Sequence, residues 1–306
     1  MYTLTERFTR VAALLLLLLG ATSVAAGELE EPTGSVLLTI SGDIENNDIS
    51  ILGAESYEEL LANTMDLRLR QLLRVPEGTS TLFATALTAS VDLRDNPFNP
   101  RQGFSASMTV EYAKTLLPAV IERDGEEIVF DSHHLRLMGT FNGYVPLGEK
   151  LVLALQLQLG RVVHLTSDSK TYPNRQFFLG GVDTVRGYLQ DAMVPQDIAD
   201  EGSVDTAGVV QGGDVFMVLR GELRFPIFGD LAGGAFVDLG NTWIDTGGRP
   251  AEPGGLNPLE LRPSAGLGLR INTPVGPIAF DYGILLRRRT YLNEPFGSFH
   301  FSIGLF

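Results

Sequence analysis

The chain has 306 residues, 44% hydrophobic and 20% charged, with 34 glycines, a size that suits one soluble domain or one membrane barrel. It contains no cysteine, which excludes disulfides, thiolate metal clusters and a catalytic thiol. A formal net charge of -14 argues against nucleic acid as a partner, because phosphate binding needs clustered Lys and Arg; the acidity instead suits a solvated surface or a wet lumen.

Arg7 and Arg10 make a basic start, Val11 to Leu19 a short apolar core, and Val24-Ala25-Ala26 a small-residue site for cleavage after Ala26. This is the layout of a secretory signal peptide over residues 1–26. No later segment reaches 18 consecutive apolar residues, so any membrane span after it must be built from strands.

Residues 27–80 read as a short periplasmic segment with an α/β character. Ser35 to Gly42 forms one strand closed by glycine. Tyr57 to Leu73 places Leu60, Leu61, Leu67, Leu72 and Leu73 at helical spacing, with Ser56 as N-cap and Pro76 after the end. The polar face of that helix is not strongly basic, which favours packing on a small periplasmic fold over lying on a membrane.

From residue 81 to 306 the pattern changes to segments that alternate apolar and polar residues. Phe104, Ala106, Met108, Val110 and Tyr112 share one face of a strand, opposite Ser105, Ser107, Thr109 and Glu111. Leu151, Leu153, Leu155, Leu157 and Leu159 line another, opposite Gln156, Gln158 and Gly160. The pattern recurs near 82–94, 132–144, 213–226, 231–243, 260–273, 277–287 and 297–306, making nine strands in all. A sandwich also alternates, so the polar face decides between the two. It carries Arg94, Glu111, Arg136, Arg220, Glu222, Arg224, Asp238, Arg270 and Asp281, which a dry core would have to pair and a wet lumen would not. The expected fold is therefore an all-β, antiparallel transmembrane β-barrel.

The turns agree. Pro146 to Gly148, Pro226 to Gly229 and Pro274 to Pro277 are short connections, whereas 116–131, 163–212 and 244–259 are long and polar, as in outer-membrane barrels. The interval 163–212 exceeds the length of an ordinary structureless loop and is expected to be functional.

Inside that loop runs Phe177-Phe178-Leu179-Gly180-Gly181-Val182-Asp183-Thr184-Val185-Arg186-Gly187-Tyr188. It resembles the FxxGG…VRGY signature of the BamA/TamA (bacterial surface antigen) family. Further matches follow in the family's order: Arg94 to Phe98 with Pro100 and Gly103, Gly221 to Pro226, Phe236 to Trp243, Pro274 to Pro277, and Asp281-Tyr282-Gly283. The resemblance covers residues 82–306.

It implies that the long loop folds back into the lumen, with Val185, Arg186, Gly187 and Tyr188 as its motif and Glu222 and Asp238 as the acidic partners of Arg186. The alternation supports this independently, because Glu222 lies opposite Leu223 and Asp238 opposite Val237 and Leu239. Gly187 would permit the turn that aims the arginine. The resemblance also implies a terminal insertion signal carried by Phe299, Phe301, Gly304 and the final Phe306.

The family barrel has sixteen strands preceded by POTRA domains, whereas this chain matches nine strands, or about ten with Ser35 to Gly42, and residues 27–80 do not resemble POTRA repeats. Nine strands leave two unpaired edges. A tenth strand closing a small barrel, an oligomeric barrel, or a truncated or fused product would each account for this, with the last preferred.

By this resemblance the function is that of an insertase or translocase assembling proteins into the outer membrane, and a passive pore or structural barrel is the alternative. A soluble periplasmic enzyme or binding protein is the third reading. No G-x-S-x-G, Walker A or H-E-x-x-H motif points to an enzyme. His133 and His134 face opposite sides of a strand, so no metal or other cofactor is expected. The implied partners are outer-membrane lipid, client outer-membrane proteins, and periplasmic chaperones or assembly lipoproteins.

Overall fold

The structure of the protein is a computed structural model that describes residues 34–49, 78–123, 126–167, 169–196, 212–244, 257–273, 277–292 and 294–303. The signal peptide expected at 1–26, the helix expected at 57–73 and the turn residues 274–276 lie outside these ranges.

In chain order the strands are β1 (Ser35–Ile49), β2 (Gly78–Asp92), β3 (Gly103–Leu117), β4 (Ala119–Arg123), β5 (Glu126–Phe130), β6 (His133–Leu147), β7 (Leu151–His164), β8 (Val215–Phe228), β9 (Leu231–Trp243), β10 (Arg262–Ile271), β11 (Ile278–Leu285) and β12 (Gly297–Ile303). Ten of them form one antiparallel sheet in the order β1-β2-β3-β6-β7-β8-β9-β10-β11-β12, so each pairs with the next strand in chain order except at β3–β6, where β4 and β5 are passed over. The hairpin β4–β5 stands apart as a two-stranded sheet.

The sheet is inside-out relative to a soluble protein. On β7, Leu151, Leu155 and Leu159 are exposed while Val152, Ala154 and Gln156 are buried. Across the sheet, Leu87, Met108, Phe141, Val237, Leu267, Phe280 and Phe301 are exposed, and Arg220, Glu222, Arg224, Asp238, Arg270 and Asp281 are buried. An apolar band of that extent is tolerated where lipid covers it, and the period-two pattern puts the buried charges on the opposite, concave face, while Lys114 and Arg161, towards strand ends, are exposed on the outward one.

Two expectations change. Ser35–Ile49, expected in a separate periplasmic segment, is the sheet's first strand, paired residue for residue with β2 from Ser35↔Asp92 to Ile49↔Gly78. The boundary expected between residues 80 and 81 therefore falls inside β2. Its sequence ran together with the following polar stretch (Glu45 to Asp48), which hid the strand's second half. The interval 116–131, expected as an irregular loop, holds the β4–β5 hairpin. Among the described residues β1 does not pair with β12, so the tenth strand extends the sheet without closing it.

The connections separate by length as expected. Residues 93–102, 148–150, 229–230 and 272–277 join strands at one rim. The strand ends on either side of the intervals 50–77, 118–132, 165–214, 244–261 and 286–296 lie at the other.

Candidate functional site

The connection from β7 to β8 turns back onto the concave face. Phe177 exchanges both backbone bonds with Gly213 (2.8 and 2.9 Å), and Leu179 O accepts the Met193 N–H at 2.9 Å. These bonds close the segment into a compact hairpin-like plug. Its apolar side chains Phe177, Leu179, Val185, Tyr188 and Met193 pack against Val162, Phe216, Val218 and Leu285 of the wall. Each fully buried residue of this kind contributes roughly 1.5–3 kcal/mol, enough to hold a loop that has no sheet of its own.

This packing delivers Arg186 to the charged wall. Its Nε and Nη2 donate to Oδ2 and Oδ1 of Asp238, both at 2.8 Å, and its backbone N–H donates to the same carboxylate at 3.1 Å. Nη1 donates to Glu222 at 2.6 Å and to Asp281 at 3.2 Å. The guanidinium carbon lies 3.5 Å from the centroid of the Phe236 ring. Arg186, Glu222 and Asp238 are all 0% exposed, so the pair is shielded from water, where forked charge-assisted bonds are strongest. Burial alone would disfavour the cation. The bonds to Asp238 and the charges of Glu222 and Asp281 outweigh it and hold the Arg186 pKa above its ordinary value.

The wall continues the network. Arg224 reaches Glu222 at 3.0 Å, and Arg270 reaches Glu222 at 2.8 Å and Asp281 at 2.5 Å. Arg220 lies 3.6 Å from Asp238.

Two glycines allow the approach. Gly187 has φ +97°, a left-handed conformation that side chains disfavour. Gly283 on β11 sits where the loop backbone touches the wall: a Cβ there would lie 2.6 Å from Gly187 N and 2.8 Å from the Arg186 carbonyl carbon. The Gly187 N–H donates to His300 Nε2 on β12 at 2.9 Å. Tyr188 completes the motif, buried against Val185 and Leu285, and burial pushes its phenol up to about 12.

The loop has a second anchor that sequence reasoning missed. Arg175, in a single 3-10 turn (Pro173–Arg175), is buried and donates to Glu111 of β3 at 2.5 Å and to Glu45 of β1, with Asp43 of β1 at 3.8 Å. Beside it Tyr172 donates its hydroxyl proton to Ser80 of β2 at 2.7 Å. One ordered segment thus ties β1 at one edge of the sheet to β11 and β12 at the other.

Of the other residues expected to matter, Phe299 and Phe301 project from the outward face of β12, exposed by 83% and 57%. Gly304 and Phe306 lie outside the described residues. Asp281 and Arg270, read from the sequence only as lumen-face charges, are partners in the arginine network. Their alternation placed them on the correct face; no motif tied them to Arg186. Arg175 had no comparable signal, because it sits outside any strand periodicity.

An antiparallel ten-strand sheet, apolar outside, charged inside and carrying a pinned lumen loop, defines an outer-membrane β-barrel. Residues 40–306 match the Omp85 superfamily domain, and the chain belongs to that superfamily. The BamA/TamA likeness read from its motifs stands within this assignment. The chain is 24% identical over 238 residues to "Outer membrane protein assembly factor BamA" of Nitratidesulfovibrio vulgaris, covering 77% of this chain and 27% of that protein. It is 31% identical over 140 residues to "Outer envelope protein 80, chloroplastic" of Arabidopsis thaliana, covering 44% of this chain and 15% of that one. In fold it is similar to the crystal structure of BamA from Haemophilus ducreyi lacking POTRA domains 1–3, with a TM-score of 0.61 and 19% identity over 90% of this chain and 52% of that one. The chain therefore spans about half of that solved chain, and about a quarter or less of the two full-length relatives.

Proposed function

We propose that the chain works as an assembly or translocation barrel, helping other proteins enter or cross the outer membrane, and that it does so without enzymatic chemistry. The observation that carries this reading is the Arg186 cluster, in which a loop from the long-connection rim is fixed by five hydrogen bonds to Asp238, Glu222 and Asp281. A passive pore gains nothing from filling its lumen this way, whereas a barrel that positions its wall strands against a client benefits from an internal brace. Superfamily membership supports the same class of activity. Clients, periplasmic chaperones and assembly lipoproteins are the partners this reading calls for.

The test is reconstitution of the full chain in liposomes. Folding of an unfolded barrel client, read by protease protection, should be faster than in empty liposomes, and the Arg186→Ala variant should lose the acceleration. Ion conductance with no effect on client folding would instead establish the passive-pore reading.

A further inference from the structure

The loop motif touches β12 through two side chains, Ser298 and His300. His300 pairs across the sheet with Asp281 of β11, which sets its ring on the lumen face beside the arginine network. There its Nε2 accepts the Gly187 N–H at 2.9 Å. Ser298 Oγ lies 2.8 Å from the same nitrogen, and it donates to the Tyr188 carbonyl oxygen at 3.3 Å.

This contact fixes the protonation of the ring. A backbone N–H can only donate, so the nitrogen that receives it must carry a lone pair. His300 therefore holds its one ring proton on Nδ1, and a second proton can go only to Nε2. A protonated Nε2 would meet Gly187 donor to donor. Ser298 gives that new N–H another outlet, because a hydroxyl that donates to Tyr188 can still accept from His300. Gly187 is buried, so its N–H would lose this acceptor away from bulk water. Among the described residues, the charged groups facing the ring are Asp281 of β11, Asp238 of β9, Arg186 of the loop and Arg220 of β8. Carboxylates that would welcome a proton there are thus matched by guanidinium groups that would not.

We propose that His300 is an acid-operated release for the lumen loop. The neutral ring holds Gly187 on β12; protonation of Nε2 hands the hydrogen bond to Ser298 and lets Gly187 go. The loop keeps its Arg186–Asp238 fork on β9 while its hold on β12, the last strand of the sheet order, weakens. The inference concerns how the loop is attached and does not depend on the proposed assembly activity.

The experiment is hydrogen exchange at the Gly187 amide of the full chain in detergent, at about pH 7.5 and about pH 5.5, corrected for the intrinsic pH dependence of exchange. Protection is expected to fall about ten-fold between the two, as loss of one buried hydrogen bond implies. His300→Gln presents an amide oxygen that can accept the same N–H at either pH, so its protection should stay constant. Every other titrating group is common to both proteins and cancels in the comparison. The nitrogen-15 shifts of the His300 ring in the unaltered chain are an independent reading, should the variant fail to fold. Near neutral pH they should show Nδ1 protonated and Nε2 bare, with Nε2 gaining its proton in acid. An equal loss of protection in the unaltered chain and His300→Gln, no loss in the unaltered chain, or a proton on Nε2 near neutral pH would overturn the proposal.

Discussion

Arg186 and Asp238 meet as a parallel fork, with two side-chain bonds of 2.8 Å closed by a third from the arginine's own backbone N–H. The carboxylate thus fixes both the direction of the side chain and the backbone of the loop that bears it. Removing the arginine by Arg186→Ala would leave Glu222, Asp238 and Asp281 buried against a reduced positive charge, at a cost of about 3–5 kcal/mol. Arg186→Lys should recover only part of this, because an ammonium has no planar fork. Heat-modifiable migration in gels and urea melts would measure both. Equal stability of Arg186→Ala and the unaltered chain would contradict the geometry.

Gly283→Ala is expected to be nearly as disruptive although it changes no charge. Its Cβ would press on backbone atoms of Arg186 and Gly187, which have no rotamer to yield with, so the loop must lift off β11. Overpacking of this kind costs roughly 1–3 kcal/mol. Thiol labelling of a single cysteine introduced at Val185 should be faster in this variant than in the same cysteine background with Gly283 kept, and an unchanged rate would contradict the contact.

Arg175→Ala should act at the other end. Loss of its bonds to Glu45 and Glu111 removes the lumen-side hold on β1, at about 1–3 kcal/mol. Hydrogen exchange is expected to speed up over residues 35–49 while 179–193 stays protected. The Arg186→Ala variant should show the reverse order of effect. Uniform loosening of both regions would mean that the two anchors are one cooperative unit.

Tyr188 supplies a pH dependence. Its pKa is raised in the folded chain, so between about 10 and 12 the folded state holds a proton that the unfolded state has lost. Stability from this group is complete below the unfolded value and falls as pH rises through the folded one. Tyr188→Phe, which keeps the packing, should flatten the loss between pH 10 and 12 relative to the unaltered chain. Parallel melting curves for the two proteins would refute the assignment.

Much of this site was legible because two periodicities coincide. Glu222, Asp238 and Asp281 were placed on one face by strand alternation alone, and the loop motif supplied Arg186. What remained hidden had no period to reveal it. Arg175 lies in a single turn whose partners are 64 and 130 residues away in sequence. The second half of β1 was masked by composition: the strand was read as closing at Gly42, and Asp43, Glu45 and Asn47 beyond it are polar, although on an edge strand they are the lumen-facing set that receives Arg175 and Asn174. The β4–β5 hairpin has only five residues in each strand, too short a run for a period of two to stand out.

The most direct measurement is a double-mutant cycle on Arg186→Ala and Asp238→Ala, read as unfolding free energy of the full chain in detergent. A loop pinned through this pair predicts that the two losses fail to add, with a coupling of about 2 kcal/mol or more. Additivity within about 0.5 kcal/mol would contradict the account, because residues that add so closely share no bond.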